Sequence, residues 1–136
     1  MDAVSGFCLA IDVTDRDAQN VAKSKGLPWS IAKGRDTYCP VGEFLPRSGD
    51  DYRHFLLECY VDGELRQNGS VSDMIFDVPA LLDYVAPRVT LNEGDLLLTG
   101  TPEGVGPVKG GQTIHALLKG KEGDILSELY VDVVDE

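Results

Sequence analysis

Apolar and polar positions along the chain fall into short blocks rather than one long amphipathic stretch. Gly6 to Val13 is an apolar run bounded by turn formers, the pattern of a buried strand. A helix is predicted next. Thr14 stands as its N-cap with Asp17 three residues on, a capping box with Asp in the Glu place. Ala18, Val21 and Ala22 supply a small apolar stripe, and Gly26 stops the helix ahead of Pro28. Leu27 to Pro46 reads as irregular, broken by Pro28, Gly34, Pro40, Gly42 and Pro46; long ordered loops are often functional. Phe55 to Val61 and Glu64 to Gly69 flank Asp62-Gly63, a signal for a type I′ hairpin. Asp77 or Val78 caps a second helix with Pro79 in its first turn, Leu81, Leu82, Tyr84 and Val85 facing inward, and Pro87 at its end. Asn92 to Asp95 is a turn, Leu96-Leu97-Leu98 a buried strand, and Thr99 to Pro107 a Gly/Pro loop. Ile114 to Leu118 and Ile125 to Val134 are two further strands, joined by Lys119 to Asp124.

Two helices and six or more strands that do not alternate βα predict an α+β, mainly β domain, antiparallel or mixed. Its 136 residues, with no repeat, low-complexity segment or linker, make one domain, 1–136, long enough to bury a core without staples. No apolar run approaches a membrane span, so no membrane partner is expected. Twelve Lys+Arg stand against 23 Asp+Glu, a net charge of −11, which argues against a nucleic-acid partner. That balance leaves small acidic substrates open, because a local cationic pocket can sit on an acidic protein. Neither a signal peptide nor an Arg-rich transit peptide is visible. Cys8, Cys39 and Cys59 are odd in number and widely spaced. They read as buried free thiols, not a disulfide frame or a zinc site.

Three groups of residues can carry chemistry. Asp12 ends a strand just before a helix start, where it can be aimed into a cleft, and Arg16 and Gln19 lie three apart on one helix face. A cation held by Asp12 and an anionic substrate held by Arg16 make a coherent site; a helix-capping Asp and a solvated Arg are the alternative. Lys33 follows small and apolar residues and suits an electrostatic stabiliser or a base, or else it is a surface lysine. In Thr99 to Gly106, glycines permit close backbone approach and Thr hydroxyls can bind a carboxylate or phosphate, although the loop lacks the P-loop spacing and can equally be a plain turn. His54 and His115 have no partner at metal spacing and read as structural, and no Gly-x-Ser-x-Gly elbow occurs.

Five motifs in order resemble the fumarylacetoacetate hydrolase family, most closely its small members that act on acylpyruvates and oxaloacetate. They are Ile11-Asp12-Val13-Thr14-Asp15-Arg16-Asp17-Ala18-Gln19, Lys25 to Lys33, Gly63-Glu64-Leu65-Arg66-Gln67-Asn68-Gly69, Met74-Ile75-Phe76-Asp77, and Leu98 to Pro107. The resemblance spans essentially the whole chain. It implies a mixed β-roll of the fumarylacetoacetate hydrolase C-terminal-domain type that usually forms a homodimer, with one Mg²⁺, or Mn²⁺ or Ca²⁺, per site. Asp12 then matches a metal-ligating carboxylate, and Thr37 a position linked to the metal in some members. Lys33 matches the lysine beside the metal, Arg16 and Gln19 match substrate-contacting positions, and Thr101 matches the threonine that holds the substrate carboxylate. The implied chemistry is C–C hydrolysis, decarboxylation or keto–enol tautomerisation of a short dicarbonyl acid through a metal-chelated enolate.

Two departures qualify what the resemblance implies. The family's N-terminal half supplies a Glu-x-Glu pair to the metal and, in small members, a His/Glu pair that activates water. Glu-x-Glu occurs nowhere here, and Met1 falls within the family pattern just before the strand carrying Asp12. The chain is therefore expected to be an N-terminally truncated, partial catalytic domain, binding Mg²⁺ weakly unless the other ligands are supplied. Gly34-Arg35-Asp36 also stands where Ser-Phe is common. The competing expectations are a metal-dependent enzyme carrying part of its site, a non-catalytic relative that keeps the fold and a dimerisation surface, and a generic β-domain binding module. The family's compartments are mitochondrial or cytoplasmic.

Overall fold

The computed structural model of the chain describes residues 1–48 and 51–135. Its elements in chain order are β1 (Gly6–Ala10), α1 (Arg16–Lys25), α2 (Ser30–Lys33), β2 (Val41–Pro46), β3 (Leu56–Val61), β4 (Glu64–Ser70), α3 (Val78–Val85), β5 (Thr113–Lys119) and β6 (Ile125–Asp132), with short 3₁₀ turns at Asp51–His54 and Val71–Asp73. The strands form two sheets, β1-β2 and β4-β3-β5-β6, and the pairings are antiparallel. The architecture is mainly β with small helices, as the pattern of short apolar blocks predicts.

The larger sheet is built from two hairpins. Asp62 and Gly63 adopt φ of 50° and 80°, the two positive values that a type I′ turn demands, and they fold β4 back on β3. The second hairpin pairs β5 with β6, and β5 zips onto β3 with Leu57 opposite Leu118 and Cys59 opposite Ala116. Period-2 alternation sends Leu57, Ala116 and Leu118 to one face, where Leu9 of β1 meets them with Ile11, Leu45, Phe55 and Leu129 packed around. The small sheet thus lies against the inner face of the large one.

The outer face of the large sheet carries polar cross-strand pairs instead. Lys119 donates to Glu58 at 2.7 Å, Tyr60 donates to the other oxygen of Glu58 at 2.7 Å, and His115 stacks on Tyr130 with centroids 3.9 Å apart. The Lys119 ammonium, and then the Tyr60 hydroxyl, hold the Glu58 carboxyl below its ordinary range, while Glu58 pushes the Tyr60 phenol up.

Both helix stops are as expected. Gly26 takes the left-handed conformation (φ 64°) as C-cap of α1, and α3 ends at Ala86, just before Pro87. Asp77 caps α3 by accepting from the Ala80 amide. Five expectations need correction. The N-cap of α1 is Asp15, accepting from Ala18 at 2.9 Å, so Thr14 lies outside the helix. Within the supposedly irregular Leu27–Pro46 lie both α2 and β2. Tyr84 points out of α3 and is exposed. Leu96-Leu97-Leu98 is not a strand: Leu96 is 57% and Leu98 47% exposed, and among the described residues no backbone hydrogen bond joins these three to anything. The three thiols are free, but Cys39 is exposed rather than buried. Cys8 and Cys59 are half-buried, and burial pushes both thiols up.

Candidate functional site

Past β1 the chain runs on as an irregular extension stitched to α2 and the segment after it. The Ile11 amide donates to the Pro40 carbonyl, Val13 to Tyr38 and Asp15 to Ala32, at 2.9–3.0 Å. Ala32, 1% exposed, is packed at this junction, where a larger side chain would push the two segments apart. Its neighbour Lys33 is thereby delivered to Asp12, and Lys33 Nζ donates to Asp12 Oδ2 at 2.7 Å. Residues 21 positions apart thus share one small site, as the reading of Asp12 and Lys33 as one centre requires. Their side chains remain 47% and 33% exposed. A pair this open contributes about 0–1 kcal/mol to stability, so fold maintenance does not explain it.

In the first turn of α1, Arg16 Nη1 donates to Gln19 Oε1 at 2.6 Å, with Gln19 buried and Arg16 exposed. The expected common face of these two is present. Asp15, besides capping α1, pairs with Arg35 at 2.8 Å, so its carboxylate is already engaged.

Asp12, Arg16, Gln19, Lys33 and Thr101 all line one open cavity of about 1750 Å³ between β1, the inner face of the large sheet and the loop 91–110. That is larger than the roughly 300–1,000 Å³ of an ordinary small-molecule pocket. Thr37 is not brought there. It is exposed, outside the cavity lining, and holds a left-handed φ of 67°, a strained conformation for a β-branched residue. His54 and His115 also lie outside the cavity lining.

Thr101 sits on a loop docked against β4. Gln67 Nε2 donates to Thr101 Oγ1 at 2.8 Å and to the Pro102 carbonyl at 2.7 Å. Gly69 leaves room for the Pro102 ring, since a Cβ there would lie 2.7 Å from Pro102 Cβ. Gly104 (φ 97°) lies so close to the Arg66 carbonyl that a Cβ would come within 1.9 Å of it. Gln67 is the site residue that the residue pattern by itself misses. Its only signal is its place in one of the five motifs, because its partner lies 34 residues away.

A hard divalent cation fits Asp12 as one ligand: one of its oxygens is bonded to Lys33, and a carboxylate has two. Mg²⁺ keeps several waters and uses one or two carboxylates, so a single Asp is a partial site. Among the described residues no group of three or more His, Cys, Asp or Glu side chains stands together to complete it.

Two packed antiparallel sheets and a loop enclose one open cavity whose lining includes a carboxylate, an ammonium, a guanidinium and a hydroxyl, the frame of a mainly β domain with a polar cleft. Residues 1–128 match the sequence profile described as "Fumarylacetoacetate (FAA) hydrolase C-terminal", and the chain belongs to that family. It is 50% identical over 132 residues to the mitochondrial oxaloacetate decarboxylase of Dictyostelium discoideum, covering 96% of the chain and 61% of that relative. It is 51% identical over 124 residues to the mitochondrial oxaloacetate tautomerase FAHD2 of Oryza sativa, covering 88% of the chain and 54% of the relative. Among solved structures, the yeast family protein ynq8 superposes with a TM-score of 0.92 at 35% identity, over 98% of this chain and 56% of that one. A fumarylpyruvate hydrolase of Pseudomonas aeruginosa in complex with Mn²⁺ and pyruvate superposes with a TM-score of 0.88 at 35% identity, over 99% and 56%. The chain therefore spans a little over half the length of the proteins it matches, and it represents a partial portion of that architecture.

Proposed function

We propose that this chain carries the C-terminal, catalytic part of an enzyme that converts short dicarbonyl carboxylic acids through an enolate, with oxaloacetate as the favoured substrate. The observation that carries this reading is the 2.7 Å Asp12–Lys33 pair at the cavity that Arg16, Gln19 and Thr101 also line. Arg16 and the Thr101 hydroxyl suit the carboxylate of a keto acid, one as a charged fork and the other as a single donor. Lys33 sets a positive charge beside the position where negative charge develops, and a group aimed there lowers the barrier. A divalent cation at Asp12, Mg²⁺ or Mn²⁺ or Ca²⁺, would supply Lewis acidity toward two neighbouring oxygens of the substrate. Acylpyruvate hydrolysis, oxaloacetate decarboxylation and keto–enol tautomerisation share the enolate. The names of the two oxaloacetate relatives favour the last two for this chain, together with a mitochondrial location. We carry the homodimer and a metal-linked role for Thr37 from the family resemblance alone.

The test follows oxaloacetate and acetylpyruvate by ultraviolet absorbance with Mg²⁺, with Mn²⁺ and with chelator. Turnover should require the cation, and Lys33→Ala should abolish it while the melting temperature stays nearly unchanged, since an exposed pair contributes little stability. A rate that survives both chelator and Lys33→Ala overturns the assignment. A second reading, a non-catalytic relative that keeps the fold and a dimer surface, is favoured because, among the described residues, no group of three or more His, Cys, Asp or Glu side chains stands together to hold a metal. It predicts a folded dimer with no cation-dependent turnover.

A further inference from the structure

We propose that Gln67 is a positioning residue that fixes the polarity of the Thr101 hydroxyl. The inference rests on reading Thr101 as the contact for a substrate carboxylate, and it adds the residue that makes Thr101 a donor.

The argument begins with the Pro102 carbonyl, which can only accept. A side-chain amide 2.7 Å from it must present its NH₂ group, so the orientation of the Gln67 amide follows from the chemistry of its partner. The same NH₂ lies 2.8 Å from Thr101 Oγ1 and donates its second proton there. A threonine hydroxyl has one proton and two lone pairs. With a lone pair of Oγ1 occupied by Gln67, the hydroxyl proton of Thr101 is spared for a group in the cavity, and an anion is what a spare donor selects. The bond also anchors a loop with few other ties. Among the described residues, no backbone–backbone hydrogen bond joins residues 96–108 to the rest of the chain, and the loop is seated on β4 by the Gln67 fork, the Pro102 ring against Gly69 and the Gly104 approach to Arg66. Gln67 faces inward at the register position of Cys59, within the cavity lining.

Glu at this position reverses the polarity with nearly the same shape. A carboxylate repels the Pro102 carbonyl and takes the Thr101 proton for itself. The experiment compares wild type, Gln67→Glu, Thr101→Val, Thr101→Ser and the double variant Gln67→Glu/Thr101→Val. Pyruvate with Mg²⁺ is the probe, titrated by NMR, and urea midpoints are recorded in parallel. Gln67→Glu and Thr101→Val should each weaken pyruvate by about tenfold, the scale of one hydrogen bond to a charged group. The double variant should bind no more weakly than either single one, because both act on the same proton, and Thr101→Ser should restore binding. Wild-type affinity in Gln67→Glu, or additive losses in the double variant, overturns the proposal. An independent readout needs no ligand: the two Gln67 side-chain amide protons of the wild-type chain should exchange slowly and show contacts to Thr101 and Pro102. Exchange as fast as a free glutamine overturns the clamp. If wild type takes no pyruvate, the carboxylate-site reading fails by itself, and the amide protons alone decide the clamp.

Discussion

The four-stranded sheet and the loop that follows α3 are both rich in leucine and valine, yet they end in opposite states. In the sheet, Leu57, Ala116 and Leu118 are held by antiparallel ladders and covered by β1. In the loop, Leu96-Leu97-Leu98 is as apolar as any strand and has no ladder at all. Local hydrophobicity is the same; the supply of partners is not. A strand is a relation between two segments, and a run of leucines becomes one only where a second backbone answers its N–H and C=O groups. The large cavity lies beside Leu96–Leu98, and the chain spans a little over half the length of the relatives it matches.

The largest expected effect tests this contrast directly. Leu118→Ala, at a residue 4% exposed, should cost about 2–5 kcal/mol in urea unfolding, whereas Leu98→Ala should change stability by under about 0.5 kcal/mol. Equal costs would mean that the loop leucines are packed after all, and the contrast would fall. Next comes the segment joining the two regions. Ala32→Leu should cost about 1–3 kcal/mol and part the Asp15–Ala32 backbone bond, moving Lys33 away from Asp12; undisturbed Lys33 and Asp12 side-chain NMR signals would refute the stitch. The smallest effect concerns the sheet's outer face. Glu58 titrates below its ordinary 4.5 because Lys119, and then Tyr60, favour its charged form. The unfolded chain therefore takes up this proton first as pH falls. The stabilisation is fully present above about pH 4.5 and is lost as pH drops through the lower folded value. Asp62 behaves in the same direction, held by the Thr113 amide and Gln112. Urea midpoints should decline below pH 4.5, and Glu58→Gln should flatten that decline; an unchanged acid limb in the variant would show that Glu58 has no part in it.

What was legible in the sequence was whatever is decided locally. Asp62-Gly63 fixes its turn by its own φ angles, Gly26 ends its helix alone, and Asp77-Val78-Pro79 caps its own first turn. The misread strands depend on distant partners. Val41–Pro46 lacks a clean alternation and becomes a strand because β1 lies beside it, with Phe7 opposite Leu45 and Cys8 opposite Phe44. Leu96–Leu98 is apolar throughout and, among the described residues, has no strand paired with it. The α1 cap moved by one residue because Asp15 offers a carboxylate to the Ala18 amide in place of the Thr14 hydroxyl. For the site, the two i, i+3 residues Arg16 and Gln19 could be read from helix geometry. Asp12 with Lys33, and Thr101 with them, could be read only through family motifs. Thr37 was implied by the family resemblance, outside the five motifs, and is not part of the cavity lining.

The hairpin arrangement also bears on the order in which the molecule assembles. β3 with β4 and β5 with β6 are each closed by neighbours in sequence, so both can zip early. Joining β3 to β5 must wait until the entire stretch from Val71 to Gln112 has been looped out, and such non-local pairing is the slow kind. That loop contains α3 and the segment carrying Thr101. The chain-entropy toll of closing it grows only by about 0.6 kcal/mol for each doubling of its length. The segment carrying Thr101 can therefore be lengthened or reshaped at little expense to stability.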